Sequence, residues 1–235
     1  MTVSLILPCY NPPPGWEKTV HNSFRLFSGK VSGETELVVV LDGENVAITD
    51  DSLDYLRKNL GKVNIIQYKE NKGKGYAIRQ GVKVAKGNII IYTDVDFPYT
   101  IESMLEIHHT LSTDMADVAV GVKDEAYYAH VPFIRRLISK YLRVLIRLFL
   151  SMPITDTQCG LKGFKKLVAP VFLSTTVNRY LFDLEFVRNC FIASKFRVKA
   201  IPVSLNENVH FRSMNYRILF SESVSFIKLL FSKKR

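Results

Sequence analysis

Residues Asn88–Thr100 read NIIIYTDVDFPYT. Ile89–Tyr92 is an apolar, β-branched run of the kind that forms a strand buried on both faces. Two aspartates then follow, Asp94 and Asp96, separated by Val95. A hydrophobic strand ending in paired carboxylates puts charge where open α/β sheets bind ligands, beyond the carboxyl ends of the strands. In an extended chain, residues two apart point to the same side, so the two carboxylates repel unless a cation lies between or beside them. Mg²⁺ and Mn²⁺ prefer oxygen and are commonly shared between one or two carboxylates and substrate phosphates. The pair therefore reads as a metal site that holds a diphosphate. The plainer reading is a solvated turn with two caps.

Working outward, apolar β-rich runs recur at Val3–Leu7, Leu37–Leu41, Val63–Tyr68, Val118–Val122 and Val198–Val203. Helical patterns fall between them at Trp16–Phe27, Ser52–Leu60, Tyr76–Ala85 and Ile101–Leu111. Strands alternating with helices predict an α/β fold with a mostly parallel central sheet flanked by helices. The alternation breaks after about residue 130, where a basic-apolar segment, a loop-rich region and a last helical segment follow. No internal repeat or low-complexity linker interrupts the chain.

With 235 residues and 47% hydrophobic content, the chain can build a full core, which argues against disorder. Three widely spaced cysteines, Cys9, Cys159 and Cys190, suit a reducing compartment and match no metal-ligand spacing. The start, MTVSLILPCYN, lacks a basic region and a cleavage site, so no signal peptide is expected. No run of about 18 apolar residues is present, so no spanning helix is expected. The formal charge of +10 calls for an anionic partner: nucleic acid, nucleotide or membrane surface.

Other segments gather at the predicted strand ends. Pro8-Cys9-Tyr10-Asn11 follows the first strand and Asp42-Gly43 the second. Asn71-Lys72-Gly73-Lys74-Gly75 precedes a helix; its glycines permit close approach and its lysines add charge, so a helix N-terminus there suits an anion. The alternative is a flexible turn. It is not a P-loop, and no dinucleotide fingerprint follows the first strand. Thr155-Asp156-Thr157-Gln158-Cys159-Gly160-Leu161-Lys162-Gly163-Phe164 mixes acid, amide and lysine beside glycines and reads either as a connection or as a substrate pocket. In Phe182-Asp183-Leu184-Glu185, a helix would make the two acids diverge, one toward the pocket and one toward solvent.

These segments, in this order, resemble the inverting glycosyltransferases of the GT-A fold, and more closely the polyprenyl-phosphate sugar transferases of the dolichyl-phosphate mannosyl- and glucosyl- type. The similar pieces are LILPCYN, ELVVVLDG, ENKGKGYAIRQGVKVAKGNIIIYTDVD, VAVGVKD, TDTQCGLKGF and YLFDLEF, spread from Val3 to Lys228. The resemblance implies a nucleotide-diphospho-sugar donor held by Pro8, Tyr10, Asn11, Asp42, Lys74, Asp94 and Val95. It implies a Mg or Mn ion on Asp94 and Asp96, with Asp96, Asp156, Gln158 and Arg212 in catalysis. Arg212 and then Arg217 are expected to meet the donor phosphates. Two departures stand out: Leu41 and Glu44 replace an acid and a serine of the usual pattern, and Pro12 follows Tyr10-Asn11 where an acid is common. The expected organisation is a catalytic domain over 1–210 and a helical, basic tail over 211–235.

Pro132–Met152 reads PFIRRLISKYLRVLIRLFLSM. At 100° per residue, Arg136, Lys140, Arg143 and Arg147 form one basic stripe. Ile134, Leu137, Ile138, Tyr141, Leu142, Leu145, Leu148 and Phe149 lie opposite. A wide apolar face against a basic face without a single acid predicts a helix in an anionic membrane interface; packing on the core with a solvated cationic face is the alternative. Ile218–Phe231 is a weaker candidate of the same kind. The expected function is transfer of a sugar to a polyprenyl phosphate with inversion, peripherally on the cytoplasmic face of a membrane, with a membrane-protein partner as a further expectation. Transfer to a sugar hydroxyl, with Asp156 as base, is the alternative within the same class. A non-enzymatic module for anionic lipid or nucleic acid rests on charge alone, and no nucleic-acid motif is visible.

Overall fold

The computed structural model describes residues 1–123, 133–150, 152–206 and Phe226. Among them seven strands form one sheet: β1 (Val3–Cys9), β2 (Thr35–Asp42), β3 (Val63–Tyr68), β4 (Ile89–Tyr92), β5 (Val118–Lys123), β6 (Lys162–Lys165) and β7 (Val198–Val203). Their order is β3-β2-β1-β4-β6-β5-β7. β6 runs antiparallel to both neighbours, while the remaining pairings are parallel. This is the mostly parallel α/β sheet expected from the alternating pattern.

Among the described residues, α-helices accompany it at α1 (Trp16–Lys30), α2 (Asp50–Leu60), α3 (Lys74–Val84), α4 (Ile101–Ser112), α5 (Phe133–Leu150), α6 (Ala169–Leu173) and α7 (Phe182–Ile192). Local chemistry sets several of their starts. Thr49 and Ser52 form a reciprocal capping box at α2, and Thr100 accepts the Ser103 N–H at α4.

Both sheet faces are covered, which is why the parallel strands read as continuous apolar runs. Side chains alternate along them. Leu5, Leu7, Leu37, Val39, Ile89 and Ile91 enter one core with Trp16 and Phe27 of α1 and Ile107 of α4. Ile6, Val38, Val40, Ile90 and Tyr92 enter the other with Ile78 of α3, Ile146 of α5 and Phe186 of α7. Phe226 belongs to this second core.

Two expectations need correction. The TDTQCGLKGF segment is not only connection: its last part is β6, which fills the gap between β4 and β5. Asp183 and Glu185 do lie on a helix, but both are buried and neither is solvated. Glu185 accepts from the Thr176 and Val177 N–H groups at 2.9 and 2.8 Å and from the Thr176 hydroxyl at 3.0 Å, which fixes the loop before α7. Most of the 211–235 tail, with Arg212, Arg217 and nearly all of the Ile218–Phe231 segment, lies outside the described residues.

Candidate active site

β1, β2 and β4 deliver their C-terminal residues to one edge of the sheet. There Asp94-Val95-Asp96 is not extended. The Phe97 N–H donates to the Asp94 carbonyl at 3.0 Å, so the chain turns immediately after β4. Val95 is buried in the first core, so a role in donor binding falls to its backbone. Phe97, also buried, takes a φ of +45°, which is rare for a bulky residue and marks a turn held by its surroundings. Asn206 supplies that hold. Its amide nitrogen donates to the Phe97 and Tyr99 carbonyls at 2.8 and 3.1 Å, and its N–H to Pro98 at 2.9 Å. The two carboxylates are thus displayed by a clamped turn and not by strand alternation.

The glycine-lysine segment also differs from the anion cradle expected of it. Asp42, at the end of β2, is buried, and its carboxylate accepts from four donors. These are the Tyr68 hydroxyl at 2.8 Å, the Asn71 amide at 2.9 Å, and the Lys72 and Gly73 N–H groups at 2.8 and 2.9 Å. Beyond Lys74, the Gly75 and Tyr76 N–H groups donate to the Asn178 carbonyl at 2.8 and 3.3 Å. These four amides are therefore taken by the protein itself. Gly73 makes the arrangement possible, with a φ of +101° and a Cβ position only 2.5 Å from the Asn178 carbonyl oxygen. Asp42, expected to meet the nucleoside, already has its lone pairs engaged in organising this loop.

What the loop presents is Lys74. Its ammonium lies 2.5 Å from Asp94 Oδ1. Burial opposes its charge, but the Asp94 and Asp183 carboxylates and the hydrogen bond to Asp94 outweigh that and lift its pKa to about 12. Lys74 is therefore a fixed cation at any working pH.

The 156–160 segment closes the other side. A Cβ at Gly160 would lie 2.5 Å from Asp94 Oδ2 and 3.3 Å from the Lys74 nitrogen, so this backbone packs directly on the ion pair. The Gly160 N–H donates to the Tyr99 hydroxyl at 2.8 Å. Behind it, Lys162 of β6 is fully buried. Its ammonium donates to the Cys159 carbonyl and lies 2.8 Å from Asp183, which also accepts from the Tyr92 hydroxyl at 2.6 Å. Burial, reinforced by Asp183, pushes the Tyr92 phenol well above its ordinary pKa. Asp183, one of the two acids of the FDLE segment, and Lys162, the lysine of TDTQCGLKGF, hold this loop against the end of β4.

Asp156 is buried, with its carboxylate accepting the Lys123 N–H at 2.8 Å and lying 3.8 Å from the Lys123 ammonium. The Gln158 amide nitrogen is buried without a hydrogen-bond partner among the described residues, an orphan donor on the loop that covers Asp94. Pro8 is half-buried, while Tyr10 and Asn11 are exposed just beyond β1, Asn11 with a φ of +49°. Arg212 and Arg217 lie outside the described residues.

The donor set fits a hard divalent ion. Asp94 and Asp96 offer carboxylate oxygens, and the missing Cβ of Gly160 keeps room beside Asp94 Oδ2. Among the described residues no cluster of three or more His, Cys, Asp or Glu side chains could hold a metal. Such a site suits an ion that completes its shell with phosphate and water oxygens.

The mostly parallel seven-stranded sheet, with an acidic pair just beyond β4, has the sugar-nucleotide transferase fold called GT-A. Residues 4–170 match the model of Glycosyl transferase family 2, and the chain belongs to that family. It is 28% identical over 202 residues to the dolichyl-phosphate beta-glucosyltransferase of Drosophila melanogaster, covering 80% of this chain and 62% of that protein. The Saccharomyces cerevisiae dolichyl-phosphate beta-glucosyltransferase is 24% identical over 228 residues, covering 87% and 67% respectively. The chain thus spans about two thirds of the length of these relatives. Among solved structures, glucosyl-3-phosphoglycerate synthase of Mycobacterium tuberculosis with Mg²⁺ and uridine diphosphate superimposes with a TM-score of 0.68 at 14% identity, covering 98% of this chain and 78% of that one.

Proposed function

We propose that this chain transfers a glycosyl unit from a nucleoside diphosphate sugar to a polyprenyl phosphate of the dolichyl type, with a Mg or Mn ion at Asp94 and Asp96. The observation that carries the reading is the packing of the TDTQCG loop, through Gly160, directly onto the Lys74–Asp94 pair. The loop that resembles the polyprenyl-phosphate branch thereby meets the residues that would handle the leaving diphosphate. The dolichyl-phosphate beta-glucosyltransferase relatives support the acceptor, and the Mg²⁺- and uridine-diphosphate-bound neighbour supports the ion and the nucleotide.

When bound, the ion supplies Lewis-acid stabilisation of the leaving diphosphate. Lys74 adds a fixed ammonium beside it, and Arg212 and Arg217 are proposed to add guanidinium contacts. Pro8, Tyr10 and Asn11 border the nucleoside at the end of β1, with Asp42 setting the adjoining loop. Gln158 offers its unpaired amide to the sugar or the acceptor phosphate. An acceptor phosphate oxygen, already ionised, attacks the anomeric carbon as the bond to the diphosphate oxygen breaks, which inverts that centre. No general base is required. Asp156, the base that transfer to a sugar hydroxyl would need, is instead engaged with the Lys123 N–H and ammonium, which favours the phosphate acceptor.

α5 suits the approach to a membrane-embedded acceptor. Ile146 turns into the core, whereas Leu137 (57% exposed), Tyr141, Val144 and Leu148 (69% exposed) form an outward apolar stripe at helical spacing. Exposed Lys140 and Arg147 and half-buried Arg143 flank the stripe on one side. The side chain of Arg136 lies outside the described part. Apolar side chains edged by cations match an anionic membrane interface, on the cytoplasmic face in this reading. Among the described residues no helix is long and apolar enough to cross a membrane. A membrane-protein partner is compatible with this arrangement; nucleic acid has no part in it.

The test is a panel of nucleotide sugars with a polyprenyl phosphate and Mn²⁺ or Mg²⁺. Metal-dependent formation of a lipid-linked sugar with inverted configuration is expected. Transfer only to sugar hydroxyls would overturn the acceptor assignment. Neutralising Arg136, Lys140, Arg143 and Arg147 together should weaken co-sedimentation with anionic vesicles by orders of magnitude, at about 1 kcal/mol per engaged residue. Wild-type sedimentation by that variant would remove α5 as the contact.

A further inference from the structure

We infer that Lys74 is a resident cation for Asp94, one that a divalent ion must displace, so that the ion binds together with a nucleoside diphosphate and not ahead of it. The inference rests on the functional reading above and assigns to one side chain the coupling between its two ligands.

Lys74 cannot withdraw by moving its backbone. On one side the Lys72 and Gly73 N–H groups are held by the buried Asp42 carboxylate; on the other, the Gly75 and Tyr76 N–H groups are held by the Asn178 carbonyl. The loop carrying Asn178 is itself tied down by Arg79, which donates to the Val177 carbonyl at 2.9 Å and to the Asn178 side chain. Only the flexible stem of Lys74 is left to swing.

Two carboxylates act on Lys74, those of Asp94 and Asp183. Asp183 is engaged by Lys162 at 2.8 Å and by the Tyr92 hydroxyl at 2.6 Å. Asp94 is therefore the partner of Lys74, at 2.5 Å, and its second oxygen faces Gly160. A divalent ion arriving alone meets a carboxylate that is already neutralised and an ammonium that repels it. A nucleoside diphosphate changes both terms: its oxygens offer Lys74 an alternative anion and offer the ion further ligands. Lys74 then releases Asp94 to the ion. Binding couplings are reciprocal, so the diphosphate should tighten the ion by the same factor that the ion tightens the diphosphate.

The experiment measures Mn²⁺ binding by electron paramagnetic resonance in the full chain, with and without UDP, and with GDP in a parallel arm. Wild type should bind Mn²⁺ about tenfold or more tightly with the diphosphate than without it. Lys74→Met should bind Mn²⁺ alone about tenfold more tightly than wild type and should lose most of the coupling. Lys74→Arg, which keeps the cation, should behave as wild type in the ion-only arm. If Lys74→Met binds Mn²⁺ alone no better than wild type while wild type still binds Mn²⁺ with UDP or GDP, the resident-cation role is wrong and the functional reading stands. If no protein binds Mn²⁺ with either nucleotide, both fall. Should Lys74→Met fail to fold, wild type alone decides: equal Mn²⁺ affinity with and without diphosphate overturns the inference.

Discussion

Asp42 and Asp94 stand at the carboxyl ends of β2 and β4, the two strands that flank β1, and they are used in opposite ways. Asp42 is buried and surrounded by four donors, all between residues 68 and 73. Asp94 has a side chain 37% exposed and a single close ammonium, with the Gly160 backbone packed beside its second oxygen. A saturated carboxylate builds structure, because every lone pair already has a donor. An under-coordinated carboxylate of similar topology is left to bind. Equivalent positions on a sheet edge thus divide into scaffold and site by how many donors the following loop returns to them.

That contrast can be broken from either side. The largest effect is expected for Asp96→Asn, which weakens the ligand set while altering only an exposed side chain. Turnover should fall about a thousandfold, with an unchanged melting temperature. Activity that persists in excess chelator would contradict the metal reading.

Next comes Asp42→Asn. The amide keeps the shape, but its NH₂ turns a donor toward other donors in a buried site. A loss of about 3 kcal/mol in urea unfolding is expected, with activity falling because Lys74 loses its anchor. A variant of normal stability with impaired nucleotide binding would return Asp42 to the role of a direct contact.

Gly160→Ala sharpens the comparison at Asp94. The new Cβ would sit 2.5 Å from Oδ2, and the carboxylate must shift. Activity should drop about thirtyfold, with a melting temperature within a few degrees of wild type. Near-normal turnover would show that Asp94 has room to yield.

The smallest effect concerns a third set of acids, away from the site. Arg197 lies within 3.1 and 2.9 Å of Asp117 and Asp114, and Lys165 also reaches both. Hydrogen bonds from Arg197, opposed by burial and helped by Lys165, hold the Asp117 carboxyl well below its ordinary 3.8. A depressed acid stabilises the fold above its unfolded pKa of about 3.9, and the benefit fades as pH falls toward its folded value. Asp117→Asn should therefore lower the melting temperature modestly at pH 6, and the gap between the two proteins should narrow as pH falls from about 4 toward 2. A difference that grows on acidification would reverse the sign and exclude the mechanism.

Much of this architecture is legible in the sequence because it follows from burial. Strands covered on both faces must be apolar throughout, and β1, β2, β4 and β5 announce themselves as such. β6 does not. Its four residues, Lys-Gly-Phe-Lys, contain two lysines, and the first becomes buried only because Asp183 and the Cys159 carbonyl receive its charge. The acidic pair after β4 is visible by spacing, but the turn displaying it depends on Asn206, more than a hundred residues away. Asp42 reads as a ligand contact because its partners, Tyr68 to Gly73, become neighbours only after β3 pairs with β2. The amphipathic character of α5 is plain from spacing, whereas the division of its apolar residues between Ile146 inward and Leu137 and Leu148 outward depends on how the helix seats on the core.

The insertion of β6 carries a consequence for how the molecule is made. β4 and β5 both precede it in the chain, and both leave the ribosome before it does. Until residues 162–165 emerge and slot between them, each has an unpaired edge open to wrong partners. The sheet then closes by a non-local step, of the kind that slows folding. The same step brings Gly160 onto Asp94, so the candidate site is assembled only when the gap between β4 and β5 is filled, before β7 adds to the outer edge of β5. A nascent or partly unfolded chain therefore lacks the juxtaposition of Lys74, Asp94 and Gly160 on which the proposed function depends.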